Sequence, residues 1–177
     1  MKAGRRILVV CYSLTGNTER VAKDLAARLG AELEMIDDRK NRRGFFGHLG
    51  AALDSVRERS AQIADIRKYP SDYALTLIGT PIWGGKMTPA VRAYLRAVRG
   101  RINDVAFFTT SGSTGAEKVV PAMEALVGRK AVAFSGFNAR ELKAAADYDQ
   151  KIATFLDVLQ GKRSSAIPED NRAHSHA

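Results

Sequence analysis

The chain has 177 residues, a one-domain length that removes about 70% of the unfolded chain's surface on folding. Its net charge of +9 is spread over most of the sequence without an aromatic-interleaved basic stripe, so no nucleic-acid partner is expected. A single cysteine excludes an internal disulfide framework, and no run of about 18 apolar residues offers a membrane span, so no membrane insertion is expected.

Met1-Lys2-Ala3 leads directly toward the first apolar run without a secretory-signal pattern, and a cytoplasmic location is expected. That run, Ile7-Leu8-Val9-Val10-Cys11, has strand length, and Cys11 at its end reads as a small buried residue before it reads as a redox centre. The strand feeds Tyr12-Ser13-Leu14-Thr15-Gly16-Asn17-Thr18, and a helical pattern opens at Glu19. First-turn N–H groups of a helix have no partners within it, so such a loop can hold an anion. With no Lys or Arg in the loop, a phosphate there would rest on backbone N–H groups, hydroxyls and the helix dipole. A strand, a Gly-containing turn and a helix also occur where nothing binds, and these residues alone leave both readings open.

Val21, Ala22, Leu25, Ala26 and Leu29 share one helical face, and Gly30 supplies a stop. Ala31 to Ile36 alternates as a short strand, which completes a βαβ unit within the first 36 residues. The connection from Asp37 to Pro70 is too long for a bare loop, and Leu49, Leu53 and Val56 predict a helix inside it. Phe45 and Phe46 there serve either as a lip over a ligand or as an anchor to the body, and His48, without a partner cluster, reads as a surface or hinge residue.

A buried strand is predicted over Tyr73 to Gly79, followed by a glycine-bearing loop, Thr80-Pro81-Ile82-Trp83-Gly84-Gly85-Lys86-Met87. Thr88 before Pro89 marks a helix start, with Val91, Leu95 and Val98 on its apolar side. The fourth strand, Val105 to Thr109, ends in Thr110-Ser111-Gly112-Ser113-Thr114-Gly115, and Thr114 with Glu117 has the spacing of a capping box. Lys130 to Ser135 is the fifth strand, and Ala139 to Leu159 reads as one long helix. Residues 1–160 thus form one domain, and residues 161–177 a polar, loose tail in which His174 and His176 are not placed for catalysis.

The alternation of strands and helices places three turns, 12–18, 80–88 and 109–115, at the C-terminal edge of a parallel sheet, where ligands of open α/β sheets sit. The first can cradle a phosphate, the second offers an aromatic face, and the third offers clustered N–H donors. The loops contain no Ser/His/Asp set, metal-ligand cluster or carboxylate pair, and the first is neither a P-loop nor a G-x-G-x-x-G turn. Chemistry at such a site has to belong to a cofactor.

Ser13-Leu14-Thr15-Gly16-Asn17-Thr18 resembles the phosphate loop of flavodoxins. Thr80-Pro81-Ile82-Trp83-Gly84-Gly85 with Met87-Thr88-Pro89 resembles the second, flavin-flanking loop of flavodoxin-like proteins, and Thr109 to Gly115 is similar to their third. Over residues 5 to 160 this resemblance implies a flavodoxin-like three-layer α/β sandwich. Its sheet would have five parallel strands in the order 2-1-3-4-5, with helices on both faces and non-covalently bound FMN. It assigns Ser13, Thr15, Asn17 and Thr18, with the backbone of Leu14 and Gly16, to the flavin phosphate. Pro81, Ile82 and Trp83 flank the ring, with Trp83 stacking on it, and Gly84 and Gly85 form the segment whose peptide can turn toward N5. The backbone of Thr110, Ser111, Gly112 and Gly115 meets the pyrimidine edge.

Two departures bear on function. The chain is basic where electron-carrier flavodoxins are typically acidic, and its third loop has no aromatic residue to cover the second flavin face. The resemblance implies an FMN redox protein that passes electrons to or from a partner protein, whereas a flavin open on one face suits direct attack by a small substrate such as a nicotinamide or a quinone. An alternative is an NAD(P)H-dependent FMN oxidoreductase or quinone reductase, which a homodimer could complete, and a further one is a flavodoxin-shaped binding module without flavin.

Overall fold

The computed structural model describes residues 5–38, 63, 65–113 and 115–161. The helix predicted within residues 37–70, Phe45, Phe46, His48, the Thr114 cap and the tail beyond Gly161 lie outside the described residues.

Five strands run parallel: β1 (Ile7–Cys11), β2 (Glu32–Met35), β3 (Leu75–Trp83), β5 (Asp104–Ser111) and β6 (Ala131–Asn138). A sixth, β4 (Lys86–Met87), pairs antiparallel with the end of β3. The sheet order is β2-β1-β3-β5-β6, with β4 off this path. This corrects the expected five strands in the order 2-1-3-4-5, because the stretch read as a loop after the third strand folds back as a hairpin and takes the fourth place in the sequence.

Alternate side chains along the strands feed two helix layers. Leu8, Val10, Ile78, Val105 and Phe107 pack with α2 (Pro89–Ala97) and α3 (Val120–Val127), whereas Val9, Cys11, Leu77, Ala106 and Phe108 pack with α1 (Asn17–Leu29), α4 (Ala139–Lys143) and α5 (Ala145–Leu159). The period of two in the sequence thus divides one apolar run between two cores. Cys11 is fully buried in the second, 3.4 Å from the Met35 sulfur, and burial pushes its thiol pKa up to about 12, which suits a packing residue rather than a redox centre.

Gly79, at the point where β3 passes the end of β1, lies under the Phe108 ring. A Cβ built on it would stand 2.2 Å from that ring, so glycine is what allows β3 and β5 to pack here.

The predicted helix over Ala139 to Leu159 is two helices. Asn138 caps α4 in a full capping box with Glu141, and Ala144 takes an extended conformation (φ −90°, ψ 104°) before α5 starts. Ahead of α3, Gly115 at φ 87° leads into a 3-10 turn, Ala116–Val119.

Candidate functional site

Chain order reverses between β1 and β3: β2 lies on one side of β1, and the chain then crosses to begin β3 on the other. A crevice at such a point, beyond the C-terminal strand ends, is where an open α/β sheet holds ligands. The first and second loops leave from its two sides, and the third leaves β5 next to β3.

In the first loop, Thr15, Gly16 and Asn17 are exposed, and Ser13 and Leu14 are half-buried. Gly16 precedes α1 at φ 90°, with nothing within 4 Å of where a Cβ would stand. Its N–H donates to Ser13 Oγ at 3.2 Å, which fixes the hydroxyl as an acceptor inward and leaves its proton to give outward. Arg20 N–H is the first to take a helical carbonyl, that of Gly16 at 2.9 Å, so the N–H groups of Asn17, Thr18 and Glu19 have no carbonyl within the helix.

Thr18 differs from its neighbours. It is 1% exposed, and its hydroxyl lies 2.7 Å from that of Thr110 in β5. Its side chain is therefore a tie between the first and third loops, and only its backbone N–H is available at the helix start.

The second loop is shorter than the sequence suggested. Thr80 to Trp83 continue β3, so Trp83 is a strand residue and not a loop residue. Gly84 (φ 53°) and Gly85 (φ 73°) then make a two-residue turn, with both central residues in the left-handed region as a type I′ hairpin requires. Ile82 stands opposite Met87, and Trp83 opposite Lys86. Thr80 Oγ1 closes the base of the hairpin, 3.2 Å from the Thr88 hydroxyl and accepting from Thr88 N–H at 3.2 Å. The Trp83 ring meets the Tyr12 ring edge-on, with centroids 6.0 Å apart at 80°, and this contact joins the second loop to the first.

In the third region, Thr110 and Ser111 belong to β5, and among the described residues before Gly115 an exposed turn is formed by Gly112 and Ser113. The β3–β5 ladder ends at Pro81 opposite Thr110, while the β5–β6 ladder continues to Ser111 opposite Asn138. Ser111 therefore stands past the last partner on its β3 side, where proline has no N–H to give. Ser111 Oγ donates to the carbonyl of Ser113, which holds the turn.

The structure thus brings the first, second and third stretches to one edge and ties them pairwise, through Thr18–Thr110 and Tyr12–Trp83. A cleft of about 340 Å³ lies behind the third turn, bounded by Phe134, Ser135, Lys151 and Phe155, and of the sequence-predicted residues it includes only Ser111 and Gly115. It is separate from the crevice between β1 and β3. Among the described residues there is no group of three His, Cys, Asp or Glu able to hold a metal ion. Sequence reasoning passed over Tyr12, Thr80 and Lys86 as site residues. The Gly-Gly pair between Trp83 and Lys86 was the available signal for the hairpin that positions the last of these.

No protein-family model and no curated protein sequence matches the chain. Solved structures do. A flavoprotein in complex with FMN from Lactobacillus acidophilus is 22% identical, with 79% of this chain and 97% of that chain covered and a TM-score of 0.63. A flavodoxin, WrbA-like protein from Agrobacterium tumefaciens is 17% identical over 90% of this chain and 99% of that one, with a TM-score of 0.50. An NADH:FMN oxidoreductase in its apo form is 14% identical over 91% and 92%, with a TM-score of 0.52. At these identities the likeness is one of fold, and the chain has the flavodoxin-like three-layer α/β fold.

Proposed function

We propose that this chain is an FMN-binding redox protein that holds its flavin non-covalently at the crevice between β1 and β3. The observation that carries the reading is the joining of three loops, which carry no charged residue but Lys86, at one sheet edge by the Thr18–Thr110 hydroxyl pair and the Tyr12–Trp83 ring contact. The similarity in fold to a flavoprotein in complex with FMN supports it.

The donor set suits a phosphate monoester. The start of α1 has N–H groups without carbonyl partners in the helix, Ser13 keeps a hydroxyl proton to give, Thr15 is exposed, nothing lies within 4 Å of where a Gly16 Cβ would stand, and the helix dipole favours an anion there. Leu14 and Asn17 flank that cradle. Trp83, held edge-on by Tyr12 and half-buried, offers a flat apolar surface for stacking, and Pro81 and Ile82 carry the strand that fixes it. Gly84 and Gly85 keep the hairpin tip free of side chains. Beyond Pro81, the backbone of Ser111 and Gly112, with Thr110 below and Gly115 closing the turn, offers donors to the polar edge of a planar ring. FMN supplies the electron-transfer chemistry, and the protein binds, orients and partly shields it.

The electron partner is either an acidic redox protein or a small donor or acceptor such as NAD(P)H or a quinone. The enzyme reading, an NAD(P)H-dependent FMN oxidoreductase or quinone reductase, is favoured by one feature. The third turn has no aromatic residue, so nothing in it covers the ring face opposite Trp83. Among the described residues no helix is long and apolar enough to cross a membrane. A cytoplasmic location belongs to the same proposal.

The purified protein is expected to show absorbance bands near about 370 and 450 nm that leave with extracted FMN. A colourless protein that takes up no added FMN overturns the reading in favour of a flavin-free binding module. Rapid bleaching of those bands by NADH or NADPH identifies an enzyme, and bleaching only with an added reductase identifies a carrier.

A further inference from the structure

We infer that Lys86 sets the electrostatic field at a flavin stacked on Trp83 and favours the reduced cofactor over the oxidised one. This rests on the FMN reading above and adds to it a residue that neither the phosphate cradle nor the ring contacts require.

Across the three loops, residues 12–18, 80–88 and 109–115, Lys86 is the only charged residue. Its position is fixed by the hairpin. Trp83 and Lys86 are directly opposite across the Gly84–Gly85 turn, so their side chains leave the ribbon on the same face with Cβ atoms about 5 Å apart. That face is the one on which Trp83 meets Tyr12 of the first loop. The lysine stem can therefore carry its ammonium group along the edge of anything stacked on the indole.

The surrounding charges do not duplicate it. Glu19 and Lys23 on α1 pair with each other at 2.7 Å, and Arg20 is spent on the Leu142 carbonyl at 2.9 Å and the Tyr148 ring at 4.6 Å. Glu117 and Lys118 are adjacent and of opposite sign on the 3-10 turn behind the third loop. Lys86 is exposed, and among the described residues no carboxylate forms an ion pair with it.

A flavin ring that takes up two electrons and one proton gains one negative charge. An otherwise neutral cradle gives that charge no counterpart, so a single nearby cation acts on the reduced state selectively, with a strength that salt will screen. The phosphate end, whose charge does not change on reduction, contributes equally to both states and cancels.

The test is the dissociation constant of FMN in its oxidised and dithionite-reduced forms, measured for the wild type, Lys86→Ala, Lys86→Glu and Arg96→Ala. Arg96, exposed in the last turn of α2, removes the same unit of net charge away from the hairpin. The ratio of the oxidised to the reduced constant is expected to fall about threefold in Lys86→Ala and about tenfold in Lys86→Glu, and to stay constant in Arg96→Ala. At about 1 M salt the spread should collapse. Equal ratios in the wild type and both Lys86 variants, or an equal fall in Arg96→Ala, overturn the role of Lys86 while leaving FMN binding intact. A wild type that holds no FMN in either state overturns the FMN reading and this inference with it.

Discussion

At the N-terminal ends of the strands, Arg5 pairs with Asp104, while Arg6 at 2.9 Å and Lys68 at 2.6 Å share Glu32, and Arg6 also lies over the Tyr73 ring. At the C-terminal ends the joints are a pair of threonine hydroxyls, a second threonine pair at the hairpin base and an edge-on contact between two rings. One end is held by exposed, compensated charges and the other by neutral groups, part of them buried. The net charge of +9 is thus no guide to the site. A neutral edge recognises through hydrogen-bond geometry and shape, and its few remaining charges act with little competition.

If the loop end depends on close packing beneath it, the largest effect comes from Gly79. Gly79→Val should destabilise the protein by about 3 kcal/mol in urea unfolding, because the new side chain must displace the Phe108 ring. In a Phe108→Ala background the same change should cost much less, and equal costs in both backgrounds would show that the ring is not what requires glycine. Next comes the hydroxyl tie. Thr18→Val leaves the buried Thr110 hydroxyl without its partner and should cost about 1–2 kcal/mol. The double variant with Thr110→Val should lose less than the sum of the singles. Strict additivity would mean that the two loops are not coupled through this pair. Smaller still is the effect of Trp83→Ala, which should leave the fold intact while weakening FMN binding about tenfold in a fluorescence titration. Unchanged affinity there would sink the stacking role.

Local patterning carried much of this architecture. The apolar run from Ile7 to Cys11, the helix face from Val21 to Leu29 and the Thr88-Pro89 start of α2 are set by neighbours within one or two turns, and the sequence shows them directly. Three features escaped it for separate reasons. Trp83 lies between Pro81 and Gly84, which read as turn formers, but hydrogen bonding to β4 keeps the stretch extended. The break at Ala144 falls in a run of alanines with no Gly or Pro to mark it. The Asn138–Glu141 capping box starts α4 ahead of it, and Lys151 of α5 reaches across it to Glu141 at 2.6 Å. The Thr18–Thr110 pair spans 92 residues, and no local pattern encodes a contact of that range. That three turns leave the C-terminal edge of the sheet was therefore legible, whereas the contacts that tie them together were not.

The opposite end of the sheet offers the smallest and most specific effect. Hydrogen bonds from Lys68 and then Arg6 lower the pKa of Glu32 from 4.5 to about 2. A carboxylate whose pKa is depressed by folding stabilises the native state above its unfolded pKa and loses that contribution as pH falls through the folded value. The window is therefore from about pH 4.5 down to about pH 2. Within it, thermal unfolding of the wild type should fall more steeply with acid than that of Glu32→Gln, with the two curves closest at the acid limit. The pair is exposed and screened, so at neutral pH the variant should lose no more than about 2 °C. FMN affinity should not change, since Glu32 starts β2 at the far edge from the loops. Should Glu32→Gln lower affinity as much as Trp83→Ala, the separation between a charged scaffold end and a neutral recognition end would be lost.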